Sequence, residues 1–219
     1  LQEMETGETD EITPVEGAAD YPLSHAQRRL WILSQIEATS SAYNMPASLV
    51  LDGPLDRRAL THSLEEAVGR HESLQTRFTL VDDGPRQRID APAETISQWV
   101  DLSSEADPEA RARELALRHA AEPFDLAQGP VLRLSVLKLA PERHVLLFNM
   151  HHIVGDEWSL KILVADIGTL YEAICRDLPP QLHSLRIQYK DYACWQTDRL
   201  TAGDEETARA FWLSQFQQE

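Results

Sequence analysis

The spacing of apolar residues along the chain predicts alternating helices and strands. Between residues 158 and 176 apolar positions recur every three or four residues, the spacing of a helix with one buried face. Residues 143–148 instead form a short, continuously apolar run, which is typical of a buried strand. The same criteria predict helices over 25–35, 57–70, 108–122, 187–200 and 204–218, and strands over 47–51, 74–81, 85–89 and 131–139.

The order of these elements predicts the fold class. Strands of mixed direction with helices between them indicate an α/β or α+β layered lobe, in which a mixed sheet carries helices packed on it. Pro141-Glu142 predicts a hairpin between the last two strands, and Pro179-Pro180 breaks the chain after the helix at 158–176. The sequence ends on a predicted helix with no return strand, an ending compatible with half of a larger two-lobed protein.

Charge separates the first 20 residues from the rest. Seven of the 36 acidic residues lie in residues 1–20, which contain no Lys or Arg, and the whole chain has a net charge of −16. Few large apolar groups accompany these charges, so we predict a flexible acidic interdomain linker over 1–20 and a folded lobe over 21–219. The acidic balance argues against nucleic-acid binding, which needs a basic face.

Nothing in the sequence predicts a membrane segment or a signal peptide. There is no run of 18 apolar residues, and the polar N-terminus lacks a basic start followed by an apolar stretch. The two cysteines, Cys175 and Cys194, lie in predicted helices. Free, buried thiols in the reducing cytoplasm are therefore expected.

The candidate chemistry lies where the strand at 143–148 gives way to the following helix. His151, His152 and Asp156 stand at this junction, where a side chain can face a cleft while its backbone stays rigid. A catalytic base needs that combination of position and access. The alternative is a structural histidine pair at a strand end. A zinc site is disfavoured, because His-His-x3-Asp is not a usual zinc pattern and no cysteine pair is near, so we predict no metal.

Four motifs resemble those of the condensation domains of nonribosomal peptide synthetases, in the family's order and over nearly all of residues 21–219. They resemble S-x-A-Q-x-R-L-W-x-L, R-H-E-x-L-R-T-x-F, M-H-H-x-x-x-D-G-x-S and Y-x-D-[FY]-A-x-W. In this chain they read SHAQRRLWIL at 24–33, RHESLQTRF at 70–78, MHHIVGDEWS at 150–159 and YKDYACW at 189–195. Two positions depart from the pattern: Gln75 replaces an Arg, and Glu157 replaces the Gly after Asp156.

The resemblance implies a chloramphenicol acetyltransferase-like fold, with this chain as the N-terminal lobe of a V-shaped domain. Such domains join a donor acyl or peptidyl thioester to the amine of an acceptor aminoacyl thioester. The implied partners are the donor and acceptor carrier domains, the C-terminal lobe of the same domain and an adjacent adenylation domain. Phosphopantetheine arms come from the carriers, and the chain itself is expected to bind no cofactor.

The resemblance also implies roles for individual residues. The catalytic set would be His152, His151 and Asp156, with His152 as the base or as a group that orients the amine. His151 is expected to pack or hydrogen-bond beneath the loop, and Asp156 to form a buried salt bridge with Arg29 or Arg70. The predicted substrate-binding residues are Gly155, Glu157, Trp158, Ser159 and Arg28. For Glu157, which departs from the family's pattern, the prediction is that its carboxylate, one residue past Asp156, pairs with the acceptor's ammonium group. For Glu157 and Arg28 the alternative is an ordinary surface charge.

Three other functions share part of this pattern. A free-standing acyltransferase of the chloramphenicol acetyltransferase type normally has its histidine motif near the chain end, whereas about 60 residues follow His152 here. An epimerization domain shares the histidine pair but abstracts an α-proton. A non-catalytic domain that only recruits partners is disfavoured by the intact His-His-x3-Asp. A single lobe is expected to bind without turnover, because half of the cleft is missing.

Overall fold

The computed structural model describes residues 11–36, 41–90, 97–199 and 205–216. The helices are α1 His25–Ser34, α2 Arg57–Arg70, α3 Pro108–Ala121, α4 Glu157–Cys175, α5 Tyr189–Arg199 and α6 Glu205–Phe216, with a 3-10 turn at Glu72–Gln75. The strands are β1 Tyr21–Pro22, β2 Asn44–Asp52, β3 Thr76–Val81, β4 Gly84–Ile89, β5 Ser97–Asp101, β6 Leu132–Ala140 and β7 Arg143–His151. The helices and strands predicted from the apolar spacing are all present, with small shifts at their ends.

Two sheets organise the described part of the chain. The larger has the order β2-β7-β6-β5, in which β5 runs parallel to β6 and the other pairs are antiparallel. The smaller has the order β1-β4-β3 and is antiparallel throughout. The hairpin predicted at Pro141-Glu142 joins β6 to β7, which places β7 in the middle of the larger sheet.

Helices cover both faces of the larger sheet. Because side chains alternate along β7, Phe148 and Met150 join the core formed with Leu163 of α4 and Leu64 of α2. Leu147 points to the other face, where a smaller apolar cluster includes residues of α3 and β6. This burial on both faces explains why β7 reads as a continuous apolar run.

Strands β5 and β1 were not predicted from the sequence. In β5 the residues Ser-Gln-Trp-Val-Asp give neither a continuous apolar run nor a clean alternation, because this strand lies at the sheet edge. Strand β1 has only two residues, too few for any periodicity. The expectation of two buried thiols is wrong for Cys175, which is exposed at the end of α4, while Cys194 is partly buried and both are free.

Residues 11–20, the described half of the linker predicted over residues 1–20, make several contacts with the rest of the chain. They lie along the lobe, where the backbone N–H of Val15 donates to Asp191 and Asp20 forms an ion pair with Arg86. These contacts link single polar groups far apart in sequence, so they leave no trace in local composition. The first half of the predicted linker lies outside the described residues. In the described part of the chain, no helix has the length and apolar character needed to cross a membrane.

Candidate active site

His151, the last residue of β7, is buried beneath the loop that follows. Its side chain is 1% exposed, and its backbone N–H donates to the carbonyl of Val131. The ring nitrogen Nδ1 accepts a hydrogen bond from the backbone N–H of Ile153, and the ring meets the Phe124 ring edge-on at 6.0 Å. Burial, and secondarily the charge of His152, lowers the pKa of His151 to about 4. His151 is therefore a neutral group that braces the loop at pH 7.

His152 is exposed, and its ring is oriented by the backbone of its own loop. Its Nδ1 lies 2.8 Å from the carbonyl oxygen of Gly155, and its backbone N–H donates to the carbonyl of Tyr43. A carbonyl oxygen can only accept, so Nδ1 must carry the proton and donate it. In the neutral ring the lone pair then belongs to Nε2. This contact thus favours the tautomer in which Nε2 can accept a hydrogen bond or a proton.

Gly155 lets the loop turn tightly enough to make this bond. A Cβ built on Gly155 would lie 3.0 Å from Sδ of Met150 and 3.1 Å from Cβ of Ser159. This close approach, rather than unusual backbone angles, accounts for a glycine at this position. The carbonyl of Gly155 is therefore held close over β7, within reach of the His152 ring.

Asp156 caps the helix that carries the rest of the motif. Its Oδ1 accepts from the backbone N–H of Ser159 at 2.8 Å and from the Ser159 hydroxyl at 2.7 Å. These two bonds lower the pKa of the Asp156 carboxyl, and the nearby His152 lowers it further. A carboxylate at this end also complements the positive pole of α4. Asp156 thereby fixes where the loop ends and the helix begins.

The predicted salt bridge between Asp156 and Arg29 or Arg70 is not present. Nε of Arg70 instead lies 3.0 Å from Oδ2 of Asp166, which also lies 2.9 Å from Nε2 of His71. Helices α2 and α4 pack side by side, so the end of α2 meets the middle of α4 rather than its start. Asp166 follows Asp156 by ten helical residues, about 15 Å along the axis. Arg29 is exposed on α1.

Replacing Asp156 by alanine should therefore cost about 1 kcal/mol of stability, the usual effect of losing an N-cap. A double-mutant cycle with Arg70→Ala should give a coupling energy below about 0.5 kcal/mol, because the two residues share no described contact. Chemical denaturation of the four proteins measures both quantities. A coupling energy of several kcal/mol would show that Asp156 and Arg70 do form the predicted salt bridge.

The remaining predicted substrate-binding residues differ in their surroundings. Ser159 belongs to the cap of α4, whereas Glu157 and Trp158 extend from its first turn with side chains 81% and 71% exposed. Glu157 forms an ion pair of 2.8 Å with Lys161 on the same helix, which lowers the pKa of its carboxyl. Arg28 is exposed on α1, and no described contact joins it to this loop.

Sequence reasoning missed the residues that support the histidine pair from other elements. Tyr43 contributes its carbonyl to His152 and its ring to the surroundings of His151. Phe124 packs on His151, and the guanidinium of Arg133 lies 3.8 Å from the centre of the Phe124 ring. No local pattern around Tyr43 points to its role.

His152 is exposed to solvent. A cleft of about 640 Å³ opens elsewhere, beside the start of β6, between residues such as Arg77, His119 and Arg133, and His152 does not line it. Among the described residues, no group of three or more His, Cys, Asp or Glu side chains is placed to hold a metal ion.

Comparison with known families decides what this arrangement is. A family model described as Condensation domain matches residues 18–219. The chain belongs to the condensation-domain family. Chondramide synthase cmdD of Chondromyces crocatus is 42% identical over 202 residues, which are 91% of this chain and 5% of that protein. Gramicidin S synthase 2 of Brevibacillus brevis is 35% identical over 219 residues, which are 100% of this chain and 5% of that protein.

Solved condensation domains share the fold. The starter condensation domain of rhizomide synthetase RzmA superposes with a TM-score of 0.84 at 26% identity, over 92% of this chain and 49% of that one. The first condensation domain of the calcium-dependent antibiotic synthetase, at 23% identity and a TM-score of 0.79, supports the fold alone. These matches confirm the resemblance to condensation domains of nonribosomal peptide synthetases and the predicted α/β fold. The chain spans about half of these solved chains and a few per cent of the curated relatives.

Proposed function

We propose that this chain is the N-terminal lobe of a condensation domain that forms an amide bond between two carrier-bound thioesters. The observation that carries the proposal is the exposed imidazole of His152, whose Nδ1–H is held by the Gly155 carbonyl so that Nε2 has a free lone pair. A group of this kind can accept a proton from an incoming nitrogen nucleophile.

The reaction needs such an acceptor at one step. The acceptor amine attacks the donor carbonyl, a C–N bond forms, and the nitrogen becomes positively charged. Nε2 of His152 takes the extra proton, the C–S bond then breaks, and the proton passes to the departing thiolate. Because an α-amino group has a pKa of about 8, a usable fraction is already neutral at pH 7. The base therefore acts on the tetrahedral intermediate, and the Gly155 carbonyl stabilises the imidazolium that results.

A positioning role for His152 is the alternative within the same function. Nε2 can accept a hydrogen bond from the neutral amine and hold it in line with the donor carbonyl. Orienting two tethered reactants can lower a barrier by several kcal/mol, of the roughly 7–11 kcal/mol that proximity can supply. The two roles predict different effects of an asparagine at this position, because asparagine can orient the amine but cannot take up its proton.

The reaction calls for partners that supply both substrates. Donor and acceptor carrier domains would present their thioesters on phosphopantetheine arms, so the lobe itself needs no cofactor. A C-terminal lobe would face His152 and complete the cleft, which is supported by the solved relatives being about twice as long. An adjacent adenylation domain would load the acceptor carrier. The cytoplasm is the proposed compartment, because both cysteines are free.

The test is a condensation assay of the complete domain with loaded donor and acceptor carriers, followed by mass spectrometry. Amide product on the acceptor carrier is expected with the complete domain, and none with the isolated lobe. Exchange of the donor α-proton without amide formation would assign an epimerization domain. Acylation of a free amine in preference to a carrier-bound one would assign an acyltransferase with a small-molecule acceptor.

We further propose that Glu157 binds the acceptor amine in its ammonium form before deprotonation. The carboxylate is exposed one residue after Asp156, and its partner Lys161 is itself exposed. Glu157→Gly should raise the KM for the loaded acceptor carrier about two- to fivefold, the size expected for an exposed ion pair, and leave the KM for the donor unchanged. Lys161→Ala is the matched control, since it frees Glu157 and should not raise the acceptor KM. Equal acceptor kinetics in Glu157→Gly and wild type would show that Glu157 is only a surface charge.

A further inference from the structure

Residues 11–20, hereafter the strap, are attached to the lobe at three places. Glu11 forms an ion pair with Arg186, and Asp20 forms one of 2.7 Å with Arg86 at the other end. Between them, the backbone N–H of Val15 donates to Oδ1 of Asp191 at 2.9 Å. Contacts at both ends and in the middle define the course of the whole segment, whose local sequence predicts no structure.

The middle contact differs in kind from the two ion pairs. The ion pairs are partly or largely exposed and contribute little. Asp191, in contrast, is 2% exposed, so its carboxylate must find hydrogen-bond donors within the protein. Its Oδ2 accepts from the backbone N–H of Gln188 at 2.6 Å, and Oδ1 accepts from Val15. The strap therefore supplies one of the donors that this buried charge requires.

A second set of contacts joins the end of the strap to Tyr21. The backbone N–H of Ala18 donates to the Tyr21 hydroxyl at 2.9 Å, and that hydroxyl donates to the carbonyl of Glu16. The Tyr21 ring is buried beneath the ammonium group of Lys190, which lies 5.3 Å from its centre. Tyr21, the first residue of β1, thus connects Glu16 and Ala18 of the strap with Lys190 of α5.

We propose that the strap is a docked part of the domain, held by Asp191, and that it fixes the point from which a preceding carrier domain reaches the lobe. The identity of that preceding domain rests on the proposed function, whereas the docking does not. A docked strap makes the flexible connection about ten residues shorter. Because the effective concentration of a tethered group falls with roughly the −3/2 power of linker length, the strap raises the local concentration of the donor.

Val15→Pro tests the proposal, because proline lacks the N–H that donates to Oδ1 of Asp191. Val15→Ala keeps that N–H and is the matched control. In the complete domain with its preceding carrier, hydrogen exchange of the amides of 16–20 should be about tenfold faster in Val15→Pro than in Val15→Ala. Amide formation from the linked donor carrier should fall about 1.5- to threefold, the effect expected when the release of ten residues makes a linker about 1.3 to 2 times as long. The rate with the same carrier supplied as a separate protein should stay unchanged.

Equal exchange rates in the two variants, or wild-type exchange as fast as in an unstructured peptide, would overturn the docking. Faster exchange in Val15→Pro without any loss for the linked donor would overturn the role in delivery. Absence of amide product from wild type with either form of the carrier would instead count against the proposed function. The exchange comparison would still decide the docking in that case, so the two failures are distinguishable.

Discussion

Alanine in place of His152 should slow amide formation by the complete domain about 10²- to 10⁴-fold, the range that a positioned general base contributes. The ring is exposed, and its described hydrogen bond is the one to the Gly155 carbonyl, so its loss should not unfold the lobe. Single-turnover assays with saturating loaded carriers measure this directly, because they report the chemical step. His62→Ala is the control, since His62 is an exposed histidine on α2 that pairs with glutamates of its own helix.

Asparagine at the same position separates the two roles of His152. Its amide N–H can still donate to the Gly155 carbonyl, and its oxygen can accept a hydrogen bond from the amine, but it cannot take up a proton. If His152 is the base, His152→Asn should be as slow as His152→Ala. A variant that keeps most of the wild-type rate would assign His152 to positioning. If the rate of amide formation fell less than tenfold in His152→Ala, His152 would not take part in the chemical step.

Stability of the domain should fall between pH 6.5 and pH 4 because of His151. In the unfolded chain this histidine has an ordinary pKa of about 6.5, whereas burial lowers the pKa to about 4 in the folded protein. The unfolded state therefore binds more protons within this interval. The contribution of neutral His151 is fully present above pH 6.5 and is lost as the pH falls toward 4, by about 3 kcal/mol in total.

Comparison with His151→Asn isolates this contribution from those of other groups. Asparagine oxygen can accept the hydrogen bond from the backbone of Ile153 that Nδ1 accepts in wild type, and it does not titrate. Urea unfolding at a series of pH values should show a steeper loss of unfolding free energy in wild type than in His151→Asn. Parallel pH profiles for the two proteins would contradict burial of a neutral His151.

The parts of the fold that sequence reasoning found are those set by local pattern. Helix α4 shows its buried stripe in the spacing of Leu163, Ile167 and Leu170, and β7 shows burial on both faces as an unbroken apolar run. The junction of these two elements therefore predicts that His151 and His152 lie at the end of a buried strand. Periodicity carries such information because it repeats over several turns or residues of one element.

Contacts between distant elements were not predictable in the same way. Asp156 was expected to pair with an arginine, but its carboxylate accepts hydrogen bonds from Ser159, three residues further along the chain. Arg70 forms its ion pair with Asp166 instead. The exposure of His152 and its bond to the Gly155 carbonyl depend on how one loop turns over Met150. Such outcomes depend on how the elements pack together, and the residue types alone do not reveal that packing.

The connectivity of the larger sheet has a consequence for the order of folding. Strands β6 and β7 are joined by a tight turn, so their antiparallel pairing closes a very short loop. The parallel pairing of β5 with β6 must instead wait for a crossover that contains all of α3. Early contacts in a refolding reaction should thus concentrate in the hairpin whose second strand ends at His151. The hairpin of β6 and β7 should therefore form first, and the edge strand β5 should be added to it later.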